Sequence, residues 1–338
     1  MNFWTGISFG QLTAWRRWIQ ALAFLLTVYG GIYTGPYLAD KISRSFPSLS
    51  CVYDGLHGTH CALISLQHQT HHQVGESLAK GAEVGLTLLK PLGITLFSFL
   101  LFFLVLNKAF CGWICPLGTF QEWLFMAGRR LGLVFRRITP DWLGKVRPVK
   151  WLILLLFIFV LPLLTGLGLL PHAFGDPFCR ICPSRIVTTL FTGDLEQLSL
   201  ATRSLPEEVF GWLGNVLFGF MVATAMVVRQ PFCRICPMLS LHALFRRFAP
   251  MQLSKPDRHR CGSCTNCYQA CPMDIPEIAS QSGAAAFHED CILCGRCAEY
   301  CPRPAVITLK WGPWVWFASQ REYCRQRFRG ETPEGLPR

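Results

Sequence analysis

The chain has 338 residues, 51% of them hydrophobic and only 15% charged, with a positive mean hydropathy. That balance speaks against an ordinary water-soluble domain and for membrane spans. The net charge of +12 is spaced beside apolar stretches, which excludes a nucleic-acid surface in favour of a basic membrane face.

Read from the N-terminus, four apolar stretches, near 18–39, 86–106, 151–170 and 209–228, are long enough to cross a hydrocarbon core of about 30 Å. Lys90 and Pro91 sit near the start of the second. None has Asp, Glu or His in its middle, so the paired intramembrane histidines of a b-type haem are missing. The lack of C-x-x-C-H likewise excludes a covalent c-type haem. Arg16 and Arg17 precede the first stretch and no small-x-small cleavage site follows it, which predicts an uncleaved anchor. Basic residues outnumber acidic ones by eight to two in 107–150 and by fifteen to nine from Arg229 onward. In 40–83 the count is three to four, and in 171–208 three to five. The positive-inside rule therefore puts both termini and the middle loop in the cytoplasm and the other two loops outside. The expected location is a bacterial inner membrane, crossed several times, with lipid as the surrounding partner.

Seventeen cysteines lie mostly in clusters, at ligand spacing and not in the dispersed pattern of a secreted disulfide scaffold. The first outer loop holds Cys51 and Cys61, with His57, His60, His68, His71 and His72 close by. Those histidines suit a solvated polar loop, a bound metal, or acceptance of a quinol proton. Span two runs into Cys111-Gly-Trp-Ile-Cys115-Pro116 and span four into Cys233-Arg-Ile-Cys236-Pro237. Each is followed by an amphipathic stretch ending in arginines, 117–130 and 238–247, expected to lie in the membrane interface. Four thiolates there could hold one further [4Fe–4S] cluster, with zinc or redox-cycling dithiols as the alternatives. Span three leads to Cys179 and Cys182, which with Cys51 and Cys61 make four on the outer side: a cluster, or disulfides in an oxidising compartment. The heptapeptide PFCRICP occurs in both places, at 177–183 and 231–237. Because one span separates the copies, they are expected on opposite membrane faces, building no common site.

The strongest pattern is downstream. Cys261-Gly-Ser-Cys264-Thr-Asn-Cys267-Tyr-Gln-Ala-Cys271-Pro272 precedes Cys291-Ile-Leu-Cys294-Gly-Arg-Cys297-Ala-Glu-Tyr-Cys301-Pro302. Each reads C-x2-C-x2-C-x3-C-P, in which three thiolates on a tight loop reach one cubane and the fourth serves the other. The expected ligands are Cys261, Cys264, Cys267 and Cys301 for one [4Fe–4S] cluster and Cys291, Cys294, Cys297 and Cys271 for the second. Zinc is the alternative for C-x2-C pairs, and the doubled register argues against it. Cys324 stands alone. The expected fold is a four-transmembrane-helix bundle over 1–250, an α+β ferredoxin domain of the bacterial 2[4Fe–4S] type over 251–310, and a basic tail over 311–338.

The four spans, the run Cys111-Gly-Trp-Ile-Cys115-Pro-Leu-Gly followed by Gln121 and Glu122, the second Cys-Pro motif after span four and the double-cubane tail resemble the NapH/NosR/MauN-type membrane iron–sulfur proteins. The resemblance covers the chain from span one to about Lys310. It marks Cys111, Cys115, Cys233, Cys236 and the eight tail cysteines, although Cys233–Cys236 is C-x2-C-P where that family has C-x3-C-P. It implies a quinol dehydrogenase component that passes electrons toward a periplasmic reductase, through an acceptor such as a cytochrome or iron–sulfur subunit. Two functions follow as expectations: an electron-transfer protein joining the quinone pool or a cytoplasmic donor to a periplasmic pathway, or a redox-sensing or assembly factor for a periplasmic metalloenzyme. No residue is singled out as a quinone ligand or as catalytic.

Overall fold

The computed structural model describes residues 12–34, 61–81, 85–133, 137–193, 204–255 and 264–330, together with Leu195, Leu198 and Cys261. Cys51, His57 and His60 lie outside the described residues.

The membrane module alternates long and short helices. α1 (Leu12–Thr34) is followed by α2 (Ala62–His68), α3 (Leu86–Leu106) by α4 (Pro116–Arg130), α5 (Pro140–Gly166) by α6 (Pro183–Thr192), and α7 (Leu205–Ala225) by α8 (Pro237–Leu244). The four short helices begin alike. Cys61, Cys115, Cys182 and Cys236 are their N-caps, with ψ between 119° and 145°, and proline opens the last three. Proline suits a first turn because its fixed φ is helical and its missing N–H has no partner to lose there.

Among the described residues, three helices are long and apolar enough to cross a membrane: Leu88–Leu106, Pro140–Gly166 and Leu205–Ala225. Ile94, Phe97, Leu101 and Val105 on α3, and Val209, Trp212, Val216 and Phe220 on α7, face outward. Such stripes are unfavourable in water by roughly 25 cal/mol per Å² and are at ease in hydrocarbon. α1 is different at its start, where Arg16 and Gln20 are buried. The expected first span, 18–39, runs past Thr34 into residues outside the described ones. The helices of the third and fourth spans begin earlier than the apolar stretches, at Pro140 and Leu205. Their first turns carry Asp141, Glu207 and Glu208, which lower local hydropathy but complement the positive end of the helix dipole.

The C-terminal domain is built on an antiparallel sheet in the order β1 (Met251–Ser254), β2 (Thr308–Trp311), β3 (Trp314–Ala318). β1 and β2 pair from Met251↔Trp311 to Ser254↔Thr308, and so close the segment holding both cysteine runs. The runs carry the short helices α9 (Asn266–Ala270) and α10 (Arg296–Glu299). Residues after 310, expected as a basic tail, include β3 and the helix α11 (Arg321–Gly330). Phe317 and Cys324 are buried there. The tight Gly312 turn, at φ +56°, returns the chain against β2 and makes this possible.

One apolar core joins this domain to the module, for Leu12, Ala109 and Leu239 belong to the same buried cluster as Cys271, Cys291 and Cys297. The stretch 238–247 was expected in the membrane interface. Instead Pro237 to His242 are all buried, packed among α3, α5 and the ferredoxin core.

Candidate metal centres

Cys261, Cys264, Cys267 and Cys301 line one cavity in the ferredoxin domain. The backbone wraps toward them through left-handed residues: Thr265 at φ +52° caps α9 and Gly295 at φ +75° caps α10, thirty residues on. Leu293 also sits at φ +51°, a strained choice for a branched side chain that turns the Cys291–Cys297 loop inward. Cys271, Cys291, Cys294 and Cys297 are buried together in one core. Burial pushes the Cys291 and Cys267 thiols up to about 11, so as isolated thiols they stay neutral at pH 7. Converging thiol groups are a soft donor set, which fits iron–sulfur ligation.

The membrane module holds a second site. One apolar cavity is lined by Cys61, Cys111, Cys115, Cys179, Cys182, Cys233 and Cys236. Both PFCRICP copies therefore line one cavity, each in its own half, nearer to each other than loops at opposite ends of a full span would stand. The reason is a fold-back that hydropathy does not report. The first copy does not stand at the far end of α7. It packs against the middle of that helix, where a Cβ on Gly214 would meet the Arg180 carbonyl oxygen at 3.1 Å and the Ile181 Cα at 3.6 Å. The second copy follows the end of α7, about 16 Å further along the axis.

The two halves of this cavity repeat each other at an offset of 54 residues. Gln67 Nε2 donates to Cys179 Sγ at 3.0 Å and to the Leu63 carbonyl at 3.0 Å, and its Oε1 accepts from Phe178 N at 3.2 Å. Gln121 Nε2 donates to Cys233 Sγ at 3.3 Å and to the Leu117 carbonyl at 3.2 Å, and its Oε1 accepts from Phe232 N at 3.0 Å. A glutamine six residues after a helix-capping cysteine thus pins each PFCRICP loop. Reading the sequence for cysteines alone missed Gln67. The signal was present in the parallel of Cys61-x-Leu-x-x-x-Gln67 with Cys115-x-Leu-x-x-x-Gln121.

The cavity reaches the ferredoxin domain directly, since Ile292, beside Cys291, is part of its wall. Gly112, between Cys111 and Cys115, lies so close that a Cβ would stand 2.3 Å from the Ile292 carbonyl oxygen. Trp113 Nε1 donates to the Leu293 carbonyl at 3.0 Å. Behind this loop, Arg16 pairs with Glu122 and donates to the Gly112 carbonyl at 3.0 Å, while Arg296 of α10 stands 3.8 Å from Glu122. Arg234 of the second PFCRICP forks onto the Met273 carbonyl at 2.6 Å, the Pro272 carbonyl at 3.2 Å and Asp274 at 2.8 Å. Its counterpart Arg180 pairs instead with Asp176 at 2.7 Å and Glu207 at 3.6 Å. Lys108 is buried between the Cys111 and Cys291 loops and donates to the Glu289 carbonyl. Burial pulls it down to about 8.

A second clamp joins Arg147 and Lys150 to the ferredoxin domain. Arg147 pairs with Glu277 at 2.6 Å and Asp290 at 2.9 Å, and Lys150 with Asp290 and with Glu289 at 2.8 Å. Burial alone would raise the Asp290 carboxyl. The His288 hydrogen bond and the Lys150 charge outweigh it and hold Asp290 well below the usual carboxylate range. A carboxylate depressed in the folded state stabilises docking above its unfolded value, near 4, and loses that contribution as pH falls through the folded value. Acid is therefore expected to loosen the domain contact before it unfolds either part. Asp290→Asn should weaken docking by about 3 kcal/mol at neutral pH and flatten the acid dependence. Hydrogen exchange at 288–293 as a function of pH measures both.

Comparison with known proteins agrees with the chemistry of these sites. A 4Fe-4S binding domain family matches residues 90–133 and again 210–256, and a 4Fe-4S dicluster domain family matches 260–306. The ferredoxin-type protein NapH of Escherichia coli is 26% identical over 88% of this chain and 92% of its own length. NapH of Haemophilus influenzae is 24% identical over 88% of this chain and 86% of its own length. A putative electron transport protein of Escherichia coli, YccM, is 26% identical over 64% of this chain and 54% of its own length. No solved structure matches. With two iron–sulfur domain families on its cysteine loops and this likeness along most of its length, the chain is a NapH-type membrane iron–sulfur protein of electron transport.

Proposed function

We propose that the chain is a wire of four [4Fe–4S] centres carrying electrons between a cytoplasmic ferredoxin domain and the outer side of the membrane. The observation that carries this reading is the single cavity lined by seven cysteines and walled on one side by Ile292 of the ferredoxin loop. Cys261, Cys264, Cys267 and Cys301 would hold the first centre, and Cys271, Cys291, Cys294 and Cys297 the second. Cys111, Cys115, Cys233 and Cys236 would hold the third. Cys61, Cys179 and Cys182, with Cys51 as the remaining thiol, would hold the fourth. A cluster in each place supplies one-electron chemistry at a potential set by its hydrogen bonds and exposure.

The chain's own part is spacing and insulation. A hydrocarbon core of about 30 Å is too thick for one electron jump. Packing the first PFCRICP on the middle of α7 divides that distance, because Gly214 leaves room for the loop. Gln67 and Gln121 donate to one sulfur in each half, holding the two loops alike. Phe110, Phe178 and Phe232 line the cavity with apolar rings. In this reading α1 is a fourth span, both termini are cytoplasmic, a quinol or a cytoplasmic donor feeds the wire, and a periplasmic electron carrier drains it.

The test is reduction by a quinol. Protein purified anaerobically and placed in lipid vesicles receives a menaquinol or ubiquinol analogue, and the clusters are followed by absorbance and EPR. Reduction that outruns the protein-free control supports a quinol-linked relay. Reduction by a low-potential cytoplasmic donor alone would reverse the input end and keep the wire. Reduction by neither is the result expected of an assembly factor, and it would sink the relay.

A further inference from the structure

The geometry points to a metal site at the end of the module away from the ferredoxin domain: we propose that His71, His72 and His172 bind a divalent first-row transition-metal ion. The inference does not rest on the electron-transfer reading. It starts from α2, which runs from Cys61 into a π-helical turn, Gln69–Gly75. Widened turns of this kind are rare and concentrate at functional sites. Here the turn stacks the consecutive rings of His71 and His72 at 3.9 Å between centroids.

His172 comes from a separate element, the short helix His172–Phe174 after α5, and its ring stands 5.1 Å from His71 and 5.8 Å from His72. One ring nitrogen from each of the three lies within 4.8 Å of the others. Imidazole is a ligand for zinc, copper, nickel and iron, and three imidazoles are a sufficient set for a site open to solvent on its remaining side.

Glycines on the facing segment make the approach possible. A Cβ on Gly166 would stand 2.3 Å from the His71 carbonyl oxygen, and one on Gly75 2.7 Å from the Gly166 Cα. A Cβ on Gly175 would stand 2.4 Å from His71 Nδ1. Larger residues at these positions would push His172 away from the other two rings. A carboxylate also orients one ligand, because Glu76 Oε1 stands 2.6 Å from His72 Nδ1. That contact fixes the tautomer and leaves Nε2 of His72 for a metal, the usual arrangement of a ligating histidine and its supporting acid. His71 is buried while His72 is partly exposed, so the site is anchored on one side and reachable from solvent on the other.

The experiment uses the full chain in detergent with its clusters intact. Zinc binding is measured by competition with a chromogenic chelator, and substoichiometric Cu²⁺ is examined by EPR on the oxidised protein. One zinc per chain is expected, with nitrogen hyperfine structure on the copper signal. His172→Ala and His72→Ala should each weaken zinc binding at least tenfold at unchanged iron content, and Glu76→Gln about tenfold. His288→Ala, beside Asp290 in the clamp, should leave it unchanged. Absence of a zinc equivalent, or a copper signal without nitrogen splitting, overturns the proposal on the wild-type protein alone. Equal binding by wild type and the His72 and His172 variants overturns it too.

Discussion

Replacing Cys179 and Cys182 by serine should remove about four irons from a wild-type complement of about sixteen, and leave the ferredoxin signals in place. The same change at Cys233 and Cys236 should remove a different four. The expectation rests on the two-fold character of the cavity. Each pair is held by a glutamine in the same three-bond arrangement, and each is faced by the N-cap cysteine of a neighbouring helix, Cys61 or Cys115. A protein that used one pair for a cluster and the other as bare thiols would have little physical reason to build both loops alike. Iron and acid-labile sulfide are measured per chain after anaerobic purification, with EPR of the reduced protein to separate the centres. A wild-type count of about twelve, unchanged by Cys179→Ser with Cys182→Ser, would remove the fourth centre. A count of about eight would confine the clusters to the ferredoxin runs and leave the cavity as packing. Loss of all iron in either variant would indicate a failed fold. Cys324→Ser, at a buried cysteine that lines neither of the two cysteine cavities, is the control that should keep the full count.

Much of this architecture was legible in the chain itself, and what escaped has physical causes. The double C-x2-C-x2-C-x3-C-P run is readable because a cubane imposes its spacing on any loop that holds it, whatever the surroundings. α3 was readable to the residue, since an apolar run of that length has few other uses. The meeting of the two PFCRICP copies was not. Hydropathy treats each span as a rod from face to face, and it cannot show that a loop after one rod folds back to the middle of another. The space left by Gly214 has no signature in a window average. Identical heptapeptides also concealed different work, for Arg234 holds the Cys271 loop and Arg180 holds Asp176 and Glu207. A side chain's partner is a property of the fold, and a repeated motif does not carry it. The tail after 310 was misread because its basic residues begin only at Arg321, after the short apolar strand with buried Phe317 that completes the sheet.

Gly112→Ala and Arg234→Ala are expected to break the contact between the cavity and the ferredoxin domain while leaving every cluster in place. At Gly112 the effect is steric. The added methyl would stand 2.3 Å from the Ile292 carbonyl oxygen, and a backbone atom in a constrained cysteine loop has little freedom to retreat. Separation must open there, and it costs the Trp113 bond to the Leu293 carbonyl. At Arg234 the effect is electrostatic. Guanidinium and carboxylate are both buried, and removing the guanidinium takes the donor from two carbonyls and leaves Asp274 only the Ile138 N–H as a hydrogen-bond donor, a loss of about 3–5 kcal/mol. Arg234→Lys should recover little, because an ammonium cannot reproduce the planar fork that spans Pro272, Met273 and Asp274. Arg180→Ala is the matched control, since the same residue in the same heptapeptide bonds to Asp176 and Glu207 and to no described residue of the ferredoxin domain. The readouts are iron per chain, expected unchanged, and hydrogen exchange across 271–275 and 291–295, expected to rise in Gly112→Ala and Arg234→Ala alone. Tunnelling falls off exponentially with distance, so electron equilibration between the ferredoxin centres and the cavity should slow sharply in both. If exchange rises and equilibration does not slow, the cavity and the ferredoxin domain do not communicate through this contact, and the order of centres in the wire would have to be redrawn.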